Sequence, residues 1–160
     1  MLDKPMNRRT LIKGAAAAGV VAGAAGMALP SVRPAAAQDT LKIAFSVPGL
    51  NFPFFVHMMN LAEQHAKDLG GIEFIPLDGQ QNGAPSSTKQ TADLEAATAQ
   101  GIDGLVISPN DVAALAPAIQ AVIDAGIPVV TVDRNVTDVA TLAHVGADNV
   151  EGGRLQARYV

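Results

Sequence analysis

Gly101-Ile102-Asp103-Gly104-Leu105-Val106-Ile107-Ser108-Pro109 and, 25 residues further on, Gly126-Ile127-Pro128-Val129-Val130-Thr131-Val132-Asp133-Arg134 follow one plan. A glycine closes a helical stretch, an isoleucine opens an apolar run, and the run breaks into polar residues. Gly71-Ile72 takes the same step 30 residues before Gly101. Glycine tolerates the left-handed conformation that ends a helix, and these spacings suit a strand plus a helix, so the sequence predicts βα units in series. The strands fall at Leu41–Val47, Ile72–Leu77, Gly104–Ser108, Ile127–Val132 and Leu142–Gly146. Most are apolar at successive positions, as in Leu105-Val106-Ile107, which predicts burial on both faces. The fold class is therefore α/β, with a doubly wound parallel sheet between helix layers.

The intervening helices are uneven. The first, about Phe54 to Leu69, carries Phe55, Met58, Met59, Ala62, Ala66 and Leu69 on one stripe at the helical period. The second, about Pro85 to Gln100, is mostly polar, with Leu94 and alanines as its buried side. The third lies within Asp111 to Ala125 and presents Leu115, Ile119, Val122 and Ile123. Pro117 predicts a restart there, with a short turn before it. A fourth begins near Asn149, and the chain stops at Val160 inside it without a C-cap, an ending expected of a truncated chain.

Ahead of the first strand the composition changes. Arg8-Arg9 precede Leu11-Ile12-Lys13, then 16 residues from Gly14 to Leu29 are small or apolar, and Ala35-Ala36-Ala37 close the segment. A basic head, an apolar middle and a small-residue exit make residues 1–37 an export leader, and the paired arginines point to the twin-arginine route. A membrane span needs about 20 strongly apolar residues, more than this middle supplies, so cleavage near Ala37 is the expected fate, with the mature chain in the periplasm. Residues 38–160 then carry six Lys and Arg against fourteen Asp and Glu. So acidic a surface argues against nucleic acid and anionic lipid as partners. The absence of cysteine excludes disulfides, thiolate metal sites and a lipid-anchored N-terminus.

In an open parallel sheet, ligands sit at the carboxyl ends of the strands, so the loops leaving the strands are where a site is sought. The first strand exits into Pro48-Gly49-Leu50-Asn51-Phe52-Pro53-Phe54-Phe55, which holds three of the six aromatic residues of the whole chain. Apolar rings stack on the C–H faces of a sugar, so Phe52 and Phe54 are candidates for a carbohydrate slot. Phe55 also belongs to the helical stripe and is expected to be partly core. The fourth strand exits into Asp133-Arg134, an acceptor beside a planar five-donor group, a combination suited to a neutral polyol. After the fifth strand, Asp148 or Asn149 is expected to cap the last helix.

These stretches, with Asn51-Phe52-Pro53-Phe54-Phe55-Val56 and Asp148-Asn149 followed by Gly152-Gly153, resemble the ribose-binding type of periplasmic sugar-binding proteins, the substrate-binding components of ABC importers. The similarity runs from Thr40 to Val160. It implies that residues 38–160 are the N-terminal lobe, incomplete, of a two-lobed hinged protein that closes on a monosaccharide or polyol. It further implies ring stacking by Phe54 and Phe55 and hydroxyl binding by Asp133 and Arg134; Asn51 and Phe52 of the first loop stand beside them as candidate ligand contacts. The partners implied are a membrane permease and, in a sensory role, a chemoreceptor or sensor kinase, with a monomeric full-length protein. Two positions depart from the ribose pattern: Phe52 and Ser108 stand where ribose binders commonly have Asn.

Catalytic chemistry finds little support. His57, His65 and His144 lack the mutual spacing of metal ligands. No nucleophile elbow, phosphate loop or dinucleotide fingerprint follows a strand, and Asp78 is a lone carboxylate. The sequence therefore predicts no enzyme, no cofactor and no metal. An exported cofactor enzyme is the rival from another class. A sugar-responsive repressor shares the fold but carries a DNA-binding head where this chain has its leader.

Overall fold

The computed structural model describes residues 40–159; the expected leader lies outside them. Five strands form one parallel sheet: β1 (Leu41–Val47), β2 (Ile72–Asp78), β5 (Gly104–Ile107), β6 (Val129–Val132) and β7 (Ala143–Val145), in the order β2-β1-β5-β6-β7. β1 is central. It pairs with β2 from Leu41↔Ile72 to Val47↔Asp78 and with β5 from Ile43↔Gly104 to Ser46↔Ile107. The order reverses between β1 and β5, so their outgoing loops diverge and leave a crevice.

Three helices cover the sheet, α1 (Pro53–Leu69), α2 (Ser87–Ala99) and α3 (Val112–Asp124), and a fourth, α4 (Asn149–Tyr159), follows β7. Strand side chains alternate between faces, and two separate cores result. On one face Phe45 and Val47 of β1 meet Phe55 and Met59 of α1. On the other, Ala44, Leu105, Ile107 and Val129 meet Leu94 and Ala97 of α2 and Leu115, Ile119 and Val122 of α3. Each large side chain buried there contributes about 1.5–3 kcal/mol. The expected burial on both faces holds for β1 from Ala44 on and for β5. It fails at β7, where all three residues are exposed, and α4 has no buried residue.

The helix starts explain their positions. Ser86 accepts the Lys89 N–H at 3.2 Å and Asp111 the Ala114 N–H at 2.9 Å, each capping its helix. α1 has Pro53 at its first turn, where no N–H is needed. Asp148, not Asn149, caps α4 by accepting the Glu151 N–H at 2.8 Å. Gly71, Gly101 and Gly126 stand at φ +67°, +74° and +83°, as the repeated helix exit requires.

Three expectations need correction. Pro117 does not restart α3, which runs unbroken from Val112 to Asp124. The carbonyl left without a donor belongs to Ala113, an exposed residue that water reaches, while Leu115, Ile119 and Val122 anchor both sides of the proline. Pro85 does not open α2; it lies in a hairpin of β3 (Gln80–Gln81) and β4 (Ala84–Pro85). Asn82 and Gly83, at φ +53° and +78°, form its two-residue turn. Finally β6 begins at Val129, because Pro128 has no N–H for the ladder, although its carbonyl accepts the Leu105 N–H at 3.0 Å.

Candidate ligand-binding site

The carboxyl edge of the sheet gathers the outgoing loops of β1, β5, β6 and β7. From β1 come three phenylalanines whose roles divide by burial. Phe55 is 5% exposed and belongs to the α1-side core. Phe52 and Phe54 stand outside it at 43% and 56% exposure. Both rest edge-on against Phe55, with centroids 6.1 Å and 5.1 Å away. The buried ring thus props two exposed ones, and the exposed ones offer faces for stacking.

Asn51 is turned the other way. Its amide donates to the Gly83 carbonyl at 3.3 Å, fastening the β1 exit to the β3–β4 hairpin. Asp78, expected to be a lone carboxylate, also serves this junction. Its Oδ1 accepts the backbone N–H groups of Leu50 and Gln80, both at 3.2 Å, and the Gln80 amide at 3.1 Å. A carboxylate so engaged is a fastening and not a free base.

The β6 exit is tight. Asp133 lies at φ +63°, a region costly for a residue with a Cβ. Across it the Arg134 N–H donates to the Val132 carbonyl two residues back, at 2.6 Å, and the Asp133 N–H donates to the Val145 carbonyl at 2.9 Å. This turn sends the two charged side chains out of the strand line. Arg134 Nη1 donates to the carbonyls of Pro109 at 3.2 Å and Asn110 at 2.7 Å, over the β5 exit. Asp133 Oδ2 accepts the Ser108 hydroxyl at 3.4 Å and lies 3.9 Å from Arg134 Nε, too far for a direct hydrogen bond. Asp133 and Arg134 therefore remain available for an outside polar group, each half-exposed.

A cleft of about 520 Å³ lies between α1 and the exits of β6 and β7. Phe54 and Asp133 line it together with Gly146, Ala147 and Asn149, and its apolar lining includes Phe45, Met58, Val132 and Val145. The sequence-predicted candidates are thus brought together only in part. Phe54 and Asp133 share the cleft and Arg134 flanks it over β5, whereas Asn51 is committed to the hairpin and Phe55 to the core. Among the described residues no three His, Cys, Asp or Glu side chains converge as a metal site. His144 makes a local contact, its Nδ1 lying 3.0 Å from the Thr131 hydroxyl.

Sequence reasoning missed Gln90, a residue of polar-looking α2 that the structure buries completely. Its amide donates to Ser46 Oγ at 3.0 Å and the Ser108 carbonyl at 3.1 Å, and its carbonyl accepts the Asn110 N–H at 2.7 Å. The signal was present: Gln90 falls four residues before Leu94 and seven before Ala97, on the same buried stripe.

The chain is similar to known proteins. A family model described as a periplasmic binding protein domain matches residues 43–160. The ribose import binding protein of Bacillus subtilis (strain 168) is 38% identical over 118 residues, which is 74% of this chain and 37% of that protein. Its counterpart in Escherichia coli (strain K12) is 37% identical over 126 residues, 79% of this chain and 40% of the relative. Among solved structures, a Caulobacter myo-inositol binding protein bound to myo-inositol superposes with a TM-score of 0.64 at 35% identity, covering 80% of this chain and 41% of that one. A periplasmic ribose ABC transporter structure from Conexibacter woesei gives a TM-score of 0.67 at 31% identity, covering 76% and 40%. The chain spans about two fifths of the length of the curated relatives it matches. With that family model matching residues 43–160, most of the chain, the chain belongs to the periplasmic binding protein domain family.

Proposed function

We propose that residues 38–160 form the first lobe of a two-lobed, exported sugar-binding protein that serves an ABC-type importer. The lobe offers one wall to a neutral monosaccharide or cyclic polyol, and a second lobe closes over it about a hinge. The observation that carries this reading is the shared placement of exposed Phe54 and the Asp133-Arg134 turn at the sheet's carboxyl edge, beside the strand-order switch. Phe54 stacks on the apolar face of the ring. The Asp133 carboxylate accepts from hydroxyl groups, and the unspent N–H groups of Arg134 donate to ring or hydroxyl oxygens. Opposite charges side by side add to zero, which favours a neutral ligand over an acidic or basic one.

The relatives that bind ribose and the solved structure holding myo-inositol support this class of ligand. Phe52 and Ser108 favour a ligand other than ribose itself. Ser108 is fully buried and gives its hydroxyl to Asp133, so it supports a contact residue in place of making the contact. The leader of residues 1–37 directs the protein to the periplasm, and the permease receives the closed, loaded form. Phe54, Asp133 and Arg134 are the principal contacts, with Phe52 at the rim and Asn51 and Phe55 as their supports.

A thermal-shift screen of the two-lobed protein tests this. Pentoses, hexoses and cyclic polyols are compared with amino acids and sugar phosphates. At least one neutral sugar or polyol raises the melting temperature, because a ligand bound only by the native state stabilises it. Stabilisation by amino acids or phosphates alone contradicts the proposal.

A further inference from the structure

We infer that Gln90, which lies too deep to touch a ligand, is the positioning residue for both charged groups of the site. The inference rests on the sugar-binding reading of Asp133 and Arg134. Gln90 is 0% exposed and its side chain spans three elements: its own helix α2, the end of β1 through Ser46, and the β5 exit through Ser108 and Asn110. The amide can stand in only one orientation. Nε2 faces two acceptors, the Ser46 hydroxyl oxygen and the Ser108 carbonyl, while Oε1 faces the Asn110 N–H; reversing it would set acceptor against acceptor and donor against donor.

What Gln90 holds is the segment that holds the site. The carbonyls of Pro109 and Asn110 receive Arg134 Nη1, and the Ser108 hydroxyl reaches Asp133. Gln90 grips this segment at both ends, by the Ser108 carbonyl and the Asn110 N–H. α2 adds one more grip, as Asn110 Nδ2 donates to Ser87 Oγ at 3.2 Å. One turn and two turns further along the stripe, Leu94 and Ala97 seal the same interface with apolar groups. Sealing the core therefore does not require an amide here, and a buried amide is tolerated only when its partners are in place.

Gly79 makes room for this side chain. A Cβ at Gly79 would stand 2.5 Å from Gln90 Cγ and 2.7 Å from the Val47 carbonyl, so the glycine after β2 is needed for Gln90 to reach the β1 and β5 ends. The chain of dependence runs from Gly79 to Gln90, from Gln90 to residues 108–110, and from there to Arg134 and Asp133. In this reading none of the five positions ahead of Arg134 and Asp133 touches the ligand.

The test is a double-mutant cycle on the two-lobed protein, titrated with the sugar that binds the wild type. Gln90→Met keeps the volume and removes the grips. It weakens binding by about tenfold, the loss expected when one hydrogen-bonding group is no longer held in register. In an Arg134→Ala background the same change weakens binding by clearly less, about threefold, because only Asp133 is left for it to position. An equal loss in both backgrounds, or an unchanged affinity with only a lower melting temperature, overturns the inference and leaves Gln90 a packing residue. If Gln90→Met does not fold, Gln90→Glu, which keeps the shape and the acceptor but loses the donor, carries the same cycle with the same two outcomes. A wild type that binds no neutral sugar sinks the site reading, and this inference with it; a wild type that binds while both Gln90 variants match it sinks the inference alone.

Discussion

Arg134 Nη1 donates to the carbonyl oxygen of Asn110 at 2.7 Å, so a side chain leaving β6 is clipped to the loop leaving β5. The clip spans residues 24 apart in sequence and occupies one corner of the guanidinium. Nη2 has no protein acceptor among the described residues, and Nε is 3.9 Å from Asp133. A five-donor group held at one corner has the rest of its donors already oriented for the ligand of the proposed site. The strained turn at Asp133 has the same sense, since backbone strain of this kind gathers at binding sites and is held by its surroundings.

The phenylalanine pair separates binding from stability. Phe55→Ala removes a ring from the α1-side core and costs roughly 3–5 kcal/mol of stability. Phe54→Ala, at an exposed position, changes stability by less than about 0.5 kcal/mol. It nevertheless weakens sugar binding by roughly the 0.5–1.5 kcal/mol of a stacking contact. Urea unfolding of both variants, with a sugar titration of Phe54→Ala, checks the division. A larger stability loss from Phe54→Ala than from Phe55→Ala contradicts it.

A polypeptide of residues 38–160 alone binds no sugar below millimolar concentration. Hydrogen bonds made on an open wall mostly replace equal ones to water, and one or two stacked rings fall far short of the roughly 8 kcal/mol that micromolar binding requires. The same polypeptide associates, since Leu142, Val145, Val150 and Leu155 around β7 and α4 are all exposed and β7 pairs only with β6 among the described residues. Equilibrium dialysis with labelled sugars and sedimentation measure the two effects. Micromolar binding by a monomer contradicts the two-lobed clamp.

Most of the architecture could be read from the residues because the glycine-isoleucine exits mark each βα step, and their spacing leaves little freedom. Gly101-Ile102 and Gly126-Ile127 alone place β5, α3 and β6. The hairpin after β2 escaped notice because each of its strands is two residues long, below the length at which alternation shows. The Asn82-Gly83 pair was its local sign. At the site, Phe54, Asp133 and Arg134 were visible as chemistry placed at strand exits. Gln90 was not, because in a mostly polar helix nothing in the residue type separates a buried amide from a solvated one. Only the stripe shared with Leu94 and Ala97 did. The commitment of Asn51 to Gly83 was equally invisible, as it depends on a hairpin 32 residues away.

Export is tested at Arg8 and Arg9. Replacing both with Lys keeps the charge but removes the planar guanidinium pair, and the precursor is expected to stay in the cytoplasm. Cell fractionation with detection of the precursor and the processed form decides it. Normal processing and periplasmic recovery of the double-lysine form would rule out the twin-arginine route.

Arg134→Ala puts the sugar clamp to its most direct test. Titration calorimetry of the two-lobed protein with its sugar, beside a melting curve without sugar, separates a lost contact from a damaged fold. Each charge-assisted hydrogen bond that the arginine gives the ligand is worth roughly 1.5–3 kcal/mol. The account therefore predicts a dissociation constant raised by a factor of tens to hundreds, with the unliganded melting temperature nearly unchanged because the half-exposed side chain sits at the sheet edge. An unchanged dissociation constant would contradict it and make Asp133-Arg134 an ordinary surface pair.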